Sequence, residues 1–352
     1  MRIRAWLLRL PLITPYKLAF GPVEALDTLV VRLESRAGAE GFGEATLLTG
    51  YTDETLGETW DGAKGLVQAA RSPGIDLGAA LAALDASRPF LTTAFRTALE
   101  MAEGSARLSL DAPARVPILG LLQGESAVEM ESEAERLLAE GYRTVKVKVG
   151  FNPARDAEVV ANAQRAVAGR ARIRIDANQG FSAAGAIDFL SRLSSESIEL
   201  FEQPCRAGNW DAHMKVVPVA RDRGIPLMLD ESIYSLREIE RAAELGGATF
   251  IKVKLMKFST LERLEAAIAR IRTLGMTPVL GNGVATDVGC WMEACVAARH
   301  IDNAGEMNGF LKPRDRLLAD ALVFADGAIE IPARWRPRLD VAAIDRMAVA
   351  RS

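Results

Sequence analysis

The sequence predicts an α/β protein, a TIM barrel carrying a smaller α+β domain, on three observations. From Val116 onward, short apolar runs alternate with amphipathic helical segments; this is the pattern of a parallel sheet, and eight runs imply closure into a barrel. Three of the runs end abruptly on an acid, at Asp176, Glu202 and Asp230. Those acids are 26 and 28 residues apart, against roughly 30 residues per βα unit of an eight-unit barrel. Before residue 116 the rhythm differs: strand-like runs come first and helical periodicity follows, the order of an α+β unit.

In chain order, Ile3–Leu10 and Leu29–Leu33 read as strands, separated by a turn-rich loop over Thr14–Gly21 that holds Tyr16, Lys17 and Phe20. A second loop, rich in Gly and Thr over Ala45–Thr52, holds Tyr51. From about Asp53 to Ala106, Ala and Leu recur at three- and four-residue intervals, which predicts helices. The barrel runs are Val116–Gly120, Thr144–Val149, Arg172–Asp176, Ile198–Glu202, Pro226–Asp230, Thr249–Lys254, Thr277–Gly281 and, less regularly, His300–Glu306. From about Gly327 the rhythm is lost. The expected organisation is residues 1–115 for the α+β domain, 116–326 for the barrel, and 327–352 for a segment returning to the first domain. No Gly-x-Gly-x-x-Gly follows the first barrel run, which argues against a doubly wound dinucleotide-binding sheet.

The composition excludes several function classes. With 352 residues, 49% hydrophobic and 25% charged, the chain is an ordinary globular one. A net charge of −3 argues against a nucleic-acid surface. No stretch approaches the ~20 apolar residues of a membrane span, and charges break the apolar run at Met1–Leu10, a poor signal peptide. Three cysteines, an odd number without metal-site spacing, point to a reduced, cytoplasmic setting.

Alternation along the strands adds the chemistry. In Thr144-Val-Lys146-Val-Lys148-Val-Gly150 the lysines share one face and the valines the other. With the valines against helices, both lysines turn into the barrel. Ile251-Lys252-Val-Lys254-Leu255 repeats the device on the sixth strand, four positions away and so on the opposite wall. The three acids lie on the strands between. Burying four ammonium groups is costly, but becomes reasonable around a hard cation held by the acids and an anionic, carboxylate-bearing small molecule. A cation bound to both oxygens of that carboxylate stabilises the enediolate left when an α-proton is removed. A lysine beside the cation and a second lysine would have its pKa lowered towards neutrality and so could serve as the base.

Taken together, Lys146-x-Lys148, Asp176-x-Asn178, Glu202-Gln-Pro204, Asp230-Glu-Ser232 and Lys252-x-Lys254 resemble the muconate-lactonizing-enzyme subgroup of the enolase superfamily, in order and through the whole barrel. The resemblance implies a modified (β/α)₇β TIM barrel with an α+β capping domain completed by the C-terminal segment. It implies Mg²⁺ on Asp176, Glu202 and Asp230, acid/base roles for Lys148 and Lys254, and an electrostatic role for Lys146. It also implies a homo-oligomer, dimer or octamer. The two N-terminal loops, with Tyr16, Lys17, Phe20 and Tyr51, resemble that family's specificity loops. Lys252 is expected to support rather than transfer protons. Asn178 is either a supporting residue or a turn former, and Glu231 either orients a lysine or begins the next helix. Other subgroups use a histidine near the seventh strand; here that segment is Gly281–Asp287, and the chain has only His213 and His300.

The expected reaction is racemisation or epimerisation of an amino-acid derivative. The alternatives are muconate-type cycloisomerisation, a dehydration like that of o-succinylbenzoate synthase, and a non-catalytic binding protein on the same fold. The run through Lys257 resembles dipeptide epimerases, but Phe258-Ser259 replaces their usual glycines. Asn303–Gly309 lacks the paired aspartates that hold a dipeptide's ammonium group. Glu306 is left to do part of that job, or to match the single glutamate of cycloisomerases. Lys257 is expected to be solvated at a helix start, and Cys205, Cys290 and Cys295 to be packing residues.

Overall fold

The computed structural model describes residues 1–18, 21–35, 37–48, 54–72, 74–85 and 87–352, without the side chains of 16–18 and 21. The chain opens with an antiparallel meander, β1 (Arg2–Leu18), β2 (Gly21–Glu34) and β3 (Glu40–Leu47). Both faces of this sheet are buried, and strand alternation divides them. Ile3, Ala5, Leu29, Val31, Leu33, Ala45 and Leu47 pack on the helices α1 (Leu56–Ala69), α2 (Leu77–Ala82) and α3 (Pro89–Ala102). Trp6, Leu8, Leu10, Leu26, Val30 and Phe42 join the core of the barrel domain instead. Gly41 and Gly43 allow α3 to lie directly on β3: a Cβ at either position would stand 2.0–2.4 Å from the helix backbone or from Thr97 Oγ1.

The barrel follows as β5 (Gly120–Leu121), β6 (Thr144–Lys148), β7 (Arg172–Asp176), β8 (Ile198–Glu202), β9 (Leu227–Leu229), β10 (Phe250–Val253) and β11 (Thr277–Leu280), after β4 (Ala114–Pro117). These seven strands are parallel and adjacent in chain order. Between them run α4 (Ala127–Ala139), α5 (Pro153–Val167), α6 (Ala183–Ser191), α7 (Trp210–Asp222), α8 (Leu236–Glu244), the short α9 (Leu255–Phe258) and α10 (Leu261–Thr273), with α11 (Asp287–His300) after β11. The fold is the modified TIM barrel with an α+β cap.

Two details differ from the eight runs read in the sequence. The first run is split: β4 pairs with β13 (Ala328–Ile331), itself paired with β12 (Val323–Ala325), and only Gly120–Leu121 joins the barrel beside β6. The eighth run is reduced to Gly305–Glu306, because His300 still belongs to α11. The seam is closed by three backbone bonds of 2.9 Å: Gly305 N–H to Pro117 O, Leu119 N–H to Gly305 O, and Glu306 N–H to Leu280 O. The last elements are α12 (Val341–Met347) and β14 (Ala348–Arg351); β14 pairs antiparallel with β1 at Trp6–Leu8. Asp345 also accepts the Trp6 indole N–H at 2.9 Å.

The cap is fastened to the barrel at Glu44, whose Oε1 accepts the N–H groups of Thr286 (2.7 Å) and Gly289 (3.0 Å) at the start of α11. Burial, first among the causes, pushes this carboxyl up to about 8. Among the described residues no helix is long and apolar enough to cross a membrane.

Candidate active site

Strand parity brings the strand-end groups to one face. Val145, Val147 and Val149 are buried in the core under the helices, and Lys146 and Lys148 point into the barrel with Asp176. Register then lines up the neighbours, Lys148 with Asp176 and Asp176 with Glu202. The next inward position on the fifth strand is Asp230, one residue beyond β9.

The result is a buried lattice of lysines and carboxylates. Lys146 Nζ lies 2.8 Å from Asp176 Oδ2, 2.8 Å from Glu202 Oε2, and 2.9 Å from Glu306 Oε2. From the opposite wall Lys252 Nζ reaches Glu202 Oε1 at 3.0 Å and also bonds Glu306. Lys148 Nζ, nearer the surface, donates to Asp176 Oδ2 (2.6 Å) and to Asn178. Lys254 Nζ pairs with Asp230 Oδ2 at 2.8 Å. Lys148 and Lys254 thus stand on opposite walls and both line one small cavity, about 40 Å³, with Leu48 of the cap and Asn282–Val284 at its edge. That is room for one or two waters. A substrate carboxylate enters only if ammonium groups draw back from the acids. A second cavity, about 330 Å³, shares Lys148 and Asn178 and is walled by Leu122, Phe151 and Arg155.

Asn178 has a left-handed backbone (φ 40°). Its N–H turns back to Asp176 Oδ1 (2.9 Å), and its amide donates to Glu231 Oε1 (3.0 Å). Tyr16 and Lys17 lie on β1 with undescribed side chains, and Phe20 and Tyr51 lie outside the described residues. His213 bonds Gln203 in a buried position and His300 pairs with Glu265, so neither faces the cavity. Cys205, Cys290 and Cys295 are buried free thiols.

Three findings depart from, or go beyond, the reading of the sequence. Lys257 is not solvated: it is 6% exposed, and its Nζ donates to Asp230 O (2.5 Å) and Oδ1 (2.8 Å). The four-residue α9 turns its side chain back under the fifth strand. Glu306 bonds two lysines from opposite walls, both of its oxygens accepting from Lys146 and Oε2 also from Lys252. The third residue, Gln203, reads in the sequence only as part of a motif. Its amide oxygen accepts the N–H groups of Asp230 (3.0 Å) and Ser232 (3.2 Å), and its nitrogen donates to Ser232 and Cys205 O. It fastens the fourth strand end to the fifth.

The electrostatics follow from crowding. Burial alone raises the pKa of Asp176, but Lys146, Lys148 and Lys252 outweigh it and hold the group below the carboxylate range. Asp230 and Glu306 are lowered in the same way by their lysines. Glu202 is the exception, pushed up to about 7 by burial and by Asp176. Burial lowers Lys254, yet Asp230 and Glu231 reverse this and raise it above the usual lysine value; Lys146 is raised likewise by Asp176, Glu202 and Glu306. In both cases the carboxylates beside the ammonium group prevail over burial. Lys257 comes down, to about 8, as burial prevails.

Among the described residues no three acid, His or Cys side chains close on a single ion position; ammonium groups stand between the carboxylates instead. In kind the donors suit a hard divalent cation, being carboxylates at three successive strand ends. Glu202 Oε2 is buried without a hydrogen bond, although Lys146 Nζ is 2.8 Å away.

The family profile described as "Enolase C-terminal domain-like" matches residues 129–337. A hydrophobic dipeptide epimerase of Citrifermentans bemidjiense is 28% identical over 310 residues, 83% of this chain and 82% of that one. The muconate cycloisomerase 1 of Rhodococcus opacus is 25% identical over 94% of this chain and 92% of its own. The solved N-succinyl Arg/Lys racemase of Bacillus cereus superposes with a TM-score of 0.87 at 23% identity, covering 99% of this chain and 98% of that one, a likeness of fold. The chain therefore belongs to the enolase superfamily, in its mandelate racemase/muconate-lactonizing-enzyme family, and is an isomerase by class.

Proposed function

We propose that the chain is a Mg²⁺-dependent racemase or epimerase of an amino-acid derivative, removing the α-proton of a small carboxylate on one face and returning a proton on the other. The supporting observation is that Lys148 and Lys254 face one cavity from opposite walls, each bonded to a different strand-end acid. Asp176, Glu202 and Asp230 would hold Mg²⁺, which when bound supplies a Lewis acid that offsets charge developing on the substrate.

The rest is the work of the chain itself. Lys148 Nζ and Lys254 Nζ leave their carboxylate partners for the two faces of the α-carbon; one, as the neutral amine, takes the α-proton, and the other, as ammonium, returns a proton on the opposite face. Lys146, Lys252 and Glu306 lie buried beneath them, with Glu306 bridging the two lysines and Asp176 and Glu202 supplying the remaining negative charge. Glu306, already shared by two lysines, is not available to a free ammonium group, which favours a derivative whose nitrogen needs no carboxylate partner, such as an N-acyl amino acid. Its far end would occupy the cavity walled by Phe151 and Arg155. The second reading, muconate-type cycloisomerisation, is favoured by the same lone Glu306 where paired aspartates would mark a dipeptide site.

The test is α-deuterium uptake from D₂O with Mg²⁺, followed by mass spectrometry over N-acyl amino acids, dipeptides and betaines. Uptake with inversion, the inversion lost in Lys148→Ala and in Lys254→Ala, supports the racemase. Turnover of a muconate without racemisation of any member would replace it with the cycloisomerase.

A further inference from the structure

Lys257 belongs to neither lysine pair, yet it makes the most directed contact with Asp230. Its Nζ is held by the backbone oxygen of Asp230 at 2.5 Å and by Oδ1 at 2.8 Å. The ring of Tyr234, from the loop after β9, covers it at 4.6 Å from the centroid. The other carboxylate oxygen, Oδ2, is turned towards Lys254 at 2.8 Å and Lys252 at 3.6 Å. The two oxygens of Asp230 are therefore divided between a side that belongs to Lys257 and a side that opens on the cavity.

A carboxylate torsion is broad and roughly two-fold, so an aspartate at a strand end does not fix its own oxygens. Here the bond to the backbone oxygen of Asp230 anchors Lys257 to the strand, independently of how the carboxylate turns. The second bond then sets the carboxylate. Burying an ammonium group against one carboxylate contributes little to stability compared with an apolar side chain of similar volume, so packing alone does not account for a lysine at this position.

We propose that Lys257 is a positioning residue: it keeps Oδ1 of Asp230 occupied, so that Oδ2 alone is presented to the catalytic cavity. The proposal rests on the reading of Asp230 as a metal ligand, and its test separates the two.

Mn²⁺ is titrated into the purified wild type, Lys257→Met and Lys257→Arg, and the bound ion is followed by electron paramagnetic resonance, with thermal melts as the control for folding. The wild type and Lys257→Arg are expected to share one bound-Mn²⁺ spectrum. Lys257→Met is expected to show a different one, with Asp230 free to turn. On the substrate identified by deuterium uptake, Lys257→Met is expected to lose at least tenfold in kcat with KM changed less than threefold, and Lys257→Arg to recover most of it. Identical spectra and unchanged kcat in Lys257→Met would overturn the positioning role. If Lys257→Met does not fold, Lys257→Gln, polar but uncharged and shorter, decides: a bound-Mn²⁺ spectrum different from the wild type supports the role, and an identical one overturns it. Absence of a bound-Mn²⁺ signal in the wild type would instead count against Asp230 as a ligand.

Discussion

The two ends of the barrel interior bury cations in opposite ways. At the foot, Arg174 is fully buried and each of its three nitrogens has an acceptor: Glu199 Oε2 accepts from it at 2.6 Å, Ala304 O at 2.7 Å and Asn303 Oδ1 at 3.2 Å, beside an apolar layer of Leu200, Met228 and Val279. At the mouth, lysines share oxygens among themselves, Glu202 is pushed up to about 7, and one of its oxygens has no hydrogen bond. A buried ion with an acceptor for each nitrogen is a structural plug. A set with more groups than good partners is one that can rearrange, and chemistry requires rearrangement.

That contrast can be broken from either side. Lys148→Ala or Lys254→Ala should cost the largest factor, on the order of 10³ in kcat, measured by deuterium exchange, while urea midpoints move little. Arg174→Met should do the reverse and lose about 3–5 kcal/mol of stability in urea unfolding by stranding Glu199, and the double variant with Glu199→Gln should recover much of it. Saturating Mg²⁺ should stabilise the mouth alone, by about 2.7 kcal/mol at a hundredfold excess over Kd; in calorimetry the effect should vanish in Asp230→Asn and persist in the Arg174 variant.

The smallest effect concerns Glu44. Its folded pKa of about 8 is above the ordinary 4.5, so its contribution to stability is whole below about 4.5 and is lost as pH rises through 8. Glu44→Gln, which mimics the protonated acid, should become the more stable protein above pH 8 by on the order of 1–3 kcal/mol, read as a pH-dependent difference in melting.

Strand parity explains what the sequence made legible. A period of two needs no tertiary knowledge to set Lys146, Lys148 and Asp176 on one face, and near-constant spacing does the same for Glu202 and Asp230. What stayed hidden are contacts without a period. Lys257 follows an apolar pair in an ordinary helix start, and only the shortness of α9 turns it inward. Gln203 acts across two strand ends, and nothing in a linear pattern says which backbone groups an amide will reach. Glu306 was visible as an acid but not as the shared counter-ion of two lysines from opposite walls. The eighth strand was faint because it is two residues long and held by three bonds at a seam.

Glu44 lies within β3 and Leu48 one residue beyond its end, four residues apart. One is bonded to the start of α11, and the other lines the cavity. The wall of the pocket and the fastening of the cap are thus a single piece of chain. Exchanging caps between relatives, a natural route to new specificity by recombination, would here transplant the fastening together with the wall. A donor cap without an acceptor at position 44 would leave the Thr286 and Gly289 N–H groups unmatched. A change of the pocket wall that leaves the fastening intact is therefore a substitution at Leu48 itself.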